Sequence, residues 1–185
     1  MSGLISRVQL VSNALLLLGG NTISSLTENN TGAKLGANLF ENTYLSMLQN
    51  HRWRFAVKTQ ELNQLAATPN TGFNYAYQMP NDFLYTIKGS SSTYEVYNKE
   101  IHCNDKTFQL DYIHRVSEDL LPPYFAKALE YNLAVQFAIP LTGDMAKGDY
   151  YGKVHNDALR KAKFADSSQY PEVSVQDQPY IDARY

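Results

Sequence analysis

The chain has a single cysteine, Cys103, among 185 residues. That excludes a disulfide framework and makes a reducing compartment the expected setting. Charge is also scarce: 18% of residues are charged and the formal net charge is −2. A strongly basic groove that holds nucleic acid by neutralising phosphates is therefore not expected as the main activity. Long apolar runs are missing. The longest is Ala14-Leu15-Leu16-Leu17-Leu18, far short of the ~20 residues a membrane-spanning helix needs. Only Arg7 precedes it as a cation and no Ala-x-Ala site follows, so a secretory leader is not expected.

Chemical motifs are equally thin. The four histidines, His51, His102, His114 and His155, have no His or Cys partner at ligand spacing, and no metal site is expected. Gly-x-Ser-x-Gly is absent, and Gly89-Ser90-Ser91-Ser92 reads as a turn. Thr31-Gly32-Ala33-Lys34-Leu35-Gly36 lacks the full phosphate-loop pattern and has no strand before it, so it reads as a helix start. Glu95, Glu100, Asp105, Asp111, Glu118 and Asp119 are close in sequence. A glycosidase needs two carboxyls about 5–10 Å apart across a cleft, a spacing that sequence does not fix, and a solvated face is the simpler reading. No catalytic residue, cofactor or metal ligand is assigned.

What is present is enough for a core: 44% apolar residues, with 14 Tyr, 8 Phe and 1 Trp. Tyrosine serves both cores and interfaces, so its abundance points to contact surface. Leu4, Val8, Val11, Leu15 and Leu18 alternate steps of four and three, predicting a helix over 4–18 closed by Gly19-Gly20. Asn29-Asn30-Thr31 offers caps for a second helix, whose apolar face is Ala33, Ala37, Phe40, Tyr44 and Met47 and which ends near Asn50. The period then shortens. Strands are expected from His51 to Leu62, then at Tyr75–Met79, 83–88, 93–97, 100–103 and 108–116, joined as an antiparallel meander. Arg52-Trp53-Arg54-Phe55 places both rings inward and both guanidinium groups outward on the first strand. Phe125, Leu129, Leu133 and Phe137 step by four on a third helix that Pro140 limits. A fourth helix, capped by Asp144, carries Met145, Tyr151, Val154, Ala158, Ala162 and Ala165.

The fold class is therefore α+β. A four-helix core (1–50 and 120–166) has an antiparallel strand lobe (51–117) inserted between helices 2 and 3, and an extended C-terminal tail (167–185) follows. The tail is polar and cannot bury a core of its own, yet Tyr170, Tyr180, Ile181 and Tyr185 could anchor on a partner.

An ordered set of short matches runs through residues 1–166: Asn13-Ala14-Leu15, Leu18-Gly19, Ile23-Ser24-Ser25-Leu26, Trp53-Arg54-Phe55-Ala56, Tyr75-Ala76-Tyr77-Gln78-Met79-Pro80-Asn81-Asp82-Phe83-Leu84, Leu110-Asp111-Tyr112-Ile113, Leu121-Pro122-Pro123-Tyr124-Phe125, Ala128-Leu129 and Leu133-Ala134. In order and spacing the chain resembles the tail tubular protein A family, the head-to-tail adaptors of short-tailed bacteriophages. The resemblance implies a virion protein, made in the host cytoplasm, twelve copies of which form a ring between the portal protein and the tail nozzle or tail tube. Double-stranded DNA would pass through the ring without sequence-specific binding, and no membrane, cofactor or catalytic set is implied. Portal or subunit contacts are expected at Tyr170, Tyr180, Ile181, Tyr185, Arg52 and Arg54. The alternatives are a head-completion adaptor of a long-tailed phage, a cell-wall hydrolase acting through lobe carboxylates, and a nucleic-acid-binding module.

Overall fold

A computed structural model describes residues 5–169. The order is α1 (Arg7–Leu17), α2 (Thr31–Gln49), a short 3-10 turn (Arg54–Ala56), β1 (Val57–Glu61), β2 (Tyr75–Gln78), β3 (Phe83–Gly89), β4 (Tyr94–Tyr97), β5 (Glu100–Cys103), β6 (Gln109–His114), a second 3-10 turn (Glu118–Leu120), α3 (Pro123–Thr142) and α4 (Met145–Ser167). This is the expected α+β fold, with four helices and all strands inserted between α2 and α3.

Local chemistry sets the helix limits. Ser6 caps α1, and Gly19 just beyond it adopts φ +81°, a conformation that a side chain would strain. Asn30 caps α2 by accepting the Ala33 N–H at 2.7 Å. Pro123 opens α3, where its missing N–H costs nothing. Asp144 caps α4 by accepting the N–H groups of Ala146 and Lys147. Pro140 does not stop α3 as expected. The helix runs on to Thr142 and ends at Gly143, whose φ is +67°. The proline falls in the last turn, so it removes one hydrogen bond and leaves little helix beyond to disrupt.

The helical core gathers Leu10, Val11, Ala14 and Leu15 of α1, Phe40, Tyr44 and Met47 of α2, and Phe125, Leu129, Leu133 and Phe137 of α3. Four expected face residues lie outside it: Ala37 is exposed, Met145 is 71% exposed, and Val154 and Ala165 are half-buried; Leu4 lies outside the described residues. Gly36 takes the contact instead of Ala37. A Cβ there would sit 2.6 Å from Val11 Cγ1, so the absence of a side chain lets α1 and α2 approach.

The strands do not form one meander. They make two three-stranded antiparallel sheets, ordered β1-β6-β3 and β2-β5-β4, and of consecutive strands only β4 and β5 pair. Gly89 marks the crossing from the first sheet to the second. A Cβ there would lie 2.5 Å from the Phe108 ring and 2.8 Å from Tyr94, so only glycine lets the backbone pass. Strand β6 explains the layering. Leu110 and Tyr112 join a lobe cluster with Tyr77, Met79, Ile101 and Phe108, while Ile113 joins the helical core. The first sheet thus has one face toward the helices and the other toward the second sheet.

His51 to Phe55 is not a strand. The Trp53 indole N–H donates to the Met47 carbonyl at 2.8 Å, and the Ala56 N–H closes a tight turn on the Trp53 carbonyl at 3.1 Å. The alternation of rings and guanidinium groups belongs to a connector folded against the end of α2.

Candidate functional site

Several polar groups converge where this connector meets the end of α4. Asp166 is 1% exposed. It continues the Ala158–Ala162 stripe by one further step of four, so the helix carries it inward. Its carboxylate accepts the Arg54 backbone N–H at 3.0 and 3.2 Å and the Tyr124 hydroxyl at 2.9 Å. His51 Nε2 lies 3.8 Å from its second oxygen. One side chain thereby ties together the start of the lobe, the first turn of α3 and the last turn of α4. Burial and the Asp166 charge push the Tyr124 hydroxyl pKa up. Burial, with Lys163 nearby, pulls His51 below its ordinary value against the opposing pull of Asp166.

Arg52 and Arg54 border this site. Arg52 is exposed and Arg54 half-buried, and both line a cleft of about 470 Å3 with His51, Val57, Asp166 and Ser167. The two arginines named from sequence are therefore brought together, although not as neighbours on a strand. Tyr170, Tyr180, Ile181 and Tyr185 lie outside the described residues. Ser167, the last residue of α4, also lines the cleft.

A second polar cluster locks the helices to the lobe. Arg7 binds Glu41 at 2.7 Å and Glu118 at 3.0 Å, and Arg115 binds Glu41 at 2.7 Å and Glu118 at 2.8 Å. Arg115 also lies over the Tyr44 ring and Arg7 over Phe40. The hydrogen bond and charge of Arg115 lower the Glu41 pKa. Glu118 is lowered as well, burial opposing while the bonds from Arg115 and Arg7 prevail. Buried Glu130 ties α1 to α3, accepting from Asn13 at 2.6 Å and Lys127 at 3.0 Å.

The remaining candidates are spread out. Asp111 accepts from Thr59, and Glu95 is held by the Tyr97 hydroxyl. Asp119 accepts from Ser117, and Asp105 offers its backbone carbonyl to the Tyr77 hydroxyl. Each histidine has a local role. His114 and His155 donate to the Ala56 and Ala128 carbonyls. His102 is held between Thr71 at 2.8 Å and Glu100 at 3.1 Å beneath the Tyr97 ring, fastening the loop before β2 to the second sheet. Among the described residues no group of three His, Cys, Asp or Glu side chains is placed to hold a metal ion. Burial raises the Cys103 thiol pKa, which favours the protonated form. No helix among them is long and apolar enough to cross a membrane.

Neither Asp166 nor Glu130 was anticipated from sequence. Their signal is a carboxylate in a row of buried or half-buried small residues at steps of four: Asp166 after Ala158 and Ala162, Glu130 between Ala126 and Ala134. No protein-family model matches the chain and no curated protein matches it.

Proposed function

We propose that the chain is a structural head-to-tail adaptor of a bacteriophage virion. Twelve copies form a ring that joins the portal protein to the tail nozzle or tube and lets the genome through. The helices form the body of the ring, the strand lobe meets the next tail component, and the C-terminal segment reaches the portal.

The observation that carries this reading is the ordered motif set together with where the fold puts it. Asn13-Ala14-Leu15, Trp53-Arg54-Phe55-Ala56 and Leu121-Pro122-Pro123-Tyr124-Phe125 supply the α1 core, the connector and the start of α3. Two of the three runs meet at Asp166, in the last turn of α4. An anchor needs a firm base, and a buried carboxylate with several partners supplies one. The 16 residues from 170 to 185 span up to about 53 Å when extended, at ~3.3 Å per residue, enough to reach a neighbouring protein.

Exposed rings add support. Tyr85, Tyr150 and Phe164 are 59%, 62% and 75% exposed. Cyclic subunits contact one another through two different surfaces, and aromatic side chains are favoured there. A net charge of −2 suits a duct from which DNA must slide free, since a basic wall would hold phosphate through counterion release.

The test is deletion of residues 170–185. Among the described residues every member of both apolar clusters lies at or before Ala162, so the shortened protein is expected to keep its fold and lose binding to the portal protein of its parent virion. Undiminished portal binding by the folded, shortened protein overturns the assigned role of the segment.

A further inference from the structure

An uncovered sheet edge presents a row of unpaired N–H and C=O groups, a template for another strand. The lobe has two sheets and so four edges, β1 and β3 on the first and β2 and β4 on the second. Two of them are blunted. β3 pairs with β6 through two register shifts, and its Leu84 carbonyl accepts from the Gln49 side chain at 3.2 Å. β2 is covered by the chain that follows β1: the Leu65 N–H bonds the Ala76 carbonyl at 2.8 Å, and the Gln78 N–H bonds the Asn63 carbonyl at 3.0 Å.

β1 and β4 have no such cover among the described residues. Just beyond β1 the Leu62 N–H bonds the Phe108 carbonyl at 2.8 Å. With the register of β1 on β6, this puts Lys58 and Gln60 in hydrogen-bonded pairs and turns the main-chain groups of Val57, Thr59 and Glu61 away from β6. The Val57 N–H is taken by the Arg54 carbonyl, which leaves Thr59 and Glu61 with both groups free. In the second sheet the bond from the Met79 N–H to the Lys99 carbonyl at 2.9 Å fixes the alternation along β5. Ile101 and Cys103 bond β2, Glu100 and His102 bond β4, and Tyr94 and Val96 therefore turn both main-chain groups outward. Side chains leave these edges open. Thr59, Glu61, Glu95 and Tyr97 are exposed, and Val96 is 47% exposed.

Each edge thus offers two residues with both groups free. One antiparallel register joins all of them: Thr59 opposite Val96 and Glu61 opposite Tyr94, with Gln60 opposite Glu95 between. It sets two β-branched residues side by side and opposes no like charges. β4 against the same strand of another copy does worse, because the register that uses all its free groups places Glu95 opposite Glu95. β1 against β1 avoids that clash but leaves β4 bare in both copies. Only the contact between β1 and β4 covers both edges, and contacts between two different surfaces are the ones that close into rings.

We infer that the β1 edge of one copy pairs antiparallel with the β4 edge of a second copy, so that β3-β6-β1 of one lobe and β4-β5-β2 of the next become one continuous sheet. The choice of a second copy rests on the ring proposed for this chain; the free edges do not.

Cysteine cross-linking tests this. Gln60 and Glu95 meet at the middle of the contact in a pair without main-chain bonds, where Cα atoms lie about 4.5 Å apart and a disulfide fits. Full-length Gln60→Cys and Glu95→Cys proteins are mixed and oxidised with glutathione disulfide. The unaltered protein is the control for Cys103, which is buried. The mixture is expected to give at least about tenfold more disulfide-linked dimer than either variant alone, since like positions on two copies lie beyond bridging distance. Val96→Pro, added to the Glu95→Cys chain, removes one outward N–H from an edge strand, where proline leaves the chain's own ladder intact. It should cut the yield about fivefold, the factor that one net hydrogen bond supplies. No dimer from the mixture overturns the inference. So does dimer from Glu95→Cys alone, which would pair β4 with β4, or from Gln60→Cys alone, which would pair β1 with β1. A yield indifferent to Val96→Pro overturns it as well, since the contact would then run through side chains. Rings that form without the cross-link refute the strand pairing and leave the adaptor reading standing. Cross-linked protein that does not bind portal refutes that reading and leaves the pairing standing.

Discussion

Replacing Asp166 with alanine strikes the point where connector, α3 and α4 are joined. The carboxylate is 1% exposed and accepts from the Arg54 N–H and the Tyr124 hydroxyl. Its removal leaves a part-buried amide and a phenol without that partner, each costing about 1–3 kcal/mol. Removing a buried charge gives some of this back, because a desolvated carboxylate is itself expensive. The expected loss is about 3 kcal/mol. With a urea m-value of about 2 kcal/mol/M, that moves the midpoint down by about 1.5 M. Trp53 is the only tryptophan and is fully buried, with its ring 4.8 Å from that of His51, so its fluorescence reports on the junction directly. Tyr124→Phe removes one of the same bonds and should cost about 1 kcal/mol alone. Combined with Asp166→Ala it should add less than its own cost, because the bond is already gone. An Asp166→Ala protein within 0.5 kcal/mol of the parent, or a Tyr124→Phe cost that adds in full, refutes the assignment of Asp166 as the pin.

Other perturbations follow from single contacts. Gly36→Ala gains helix propensity of about 1 kcal/mol but drives a methyl into Val11, so a net loss of about 1–2 kcal/mol is expected in thermal unfolding, largely recovered by adding Val11→Ala. Phe125→Ala, at a fully buried ring packed edge-on to Trp53 and Tyr44, should cost about 3–5 kcal/mol by urea unfolding. The pH dependence should have two stages. His51 and His155 have folded pKa values below the ordinary 6.5, so the unfolded chain binds more protons and stability falls as pH drops through about 6.5. Glu41, Glu118 and Asp82 are also depressed, so their contribution is present above the ordinary carboxylate range and fades as pH falls below about 4.5. His155→Gln should flatten the first stage and leave the second unchanged, as read from unfolding midpoints across pH.

The periodic elements were readable because one residue type did one job. Phe125, Leu129, Leu133 and Phe137 recur every four residues and all four are fully buried. Asn30 and Asp144 announce caps, and both act as caps. The inserted lobe was legible from the change of period after Asn50. Strand partners were not, because pairing is set by contacts between distant residues. Gly89 looks like an ordinary turn glycine, and only the Phe108 and Tyr94 rings around it show why the chain leaves one sheet for the other. Arg52 to Phe55 alternates like a strand, yet the Trp53 indole finds its acceptor on α2, and that nonlocal bond decides the conformation. Arg52 and Arg54 stood out in the sequence as cations between aromatic rings, and both line the cleft beside Asp166. Asp166, which joins the connector to the start of α3, was hidden by its charge on an otherwise apolar stripe.

The measurement that bears most directly on the central claim is the mass of the protein in solution, alone and mixed with the portal ring of its parent virion. The account predicts a complex holding twelve copies per portal ring, lost when residues 170–185 are removed. A protein that stays at its own subunit mass of 20.9 kDa in the presence of the portal contradicts it.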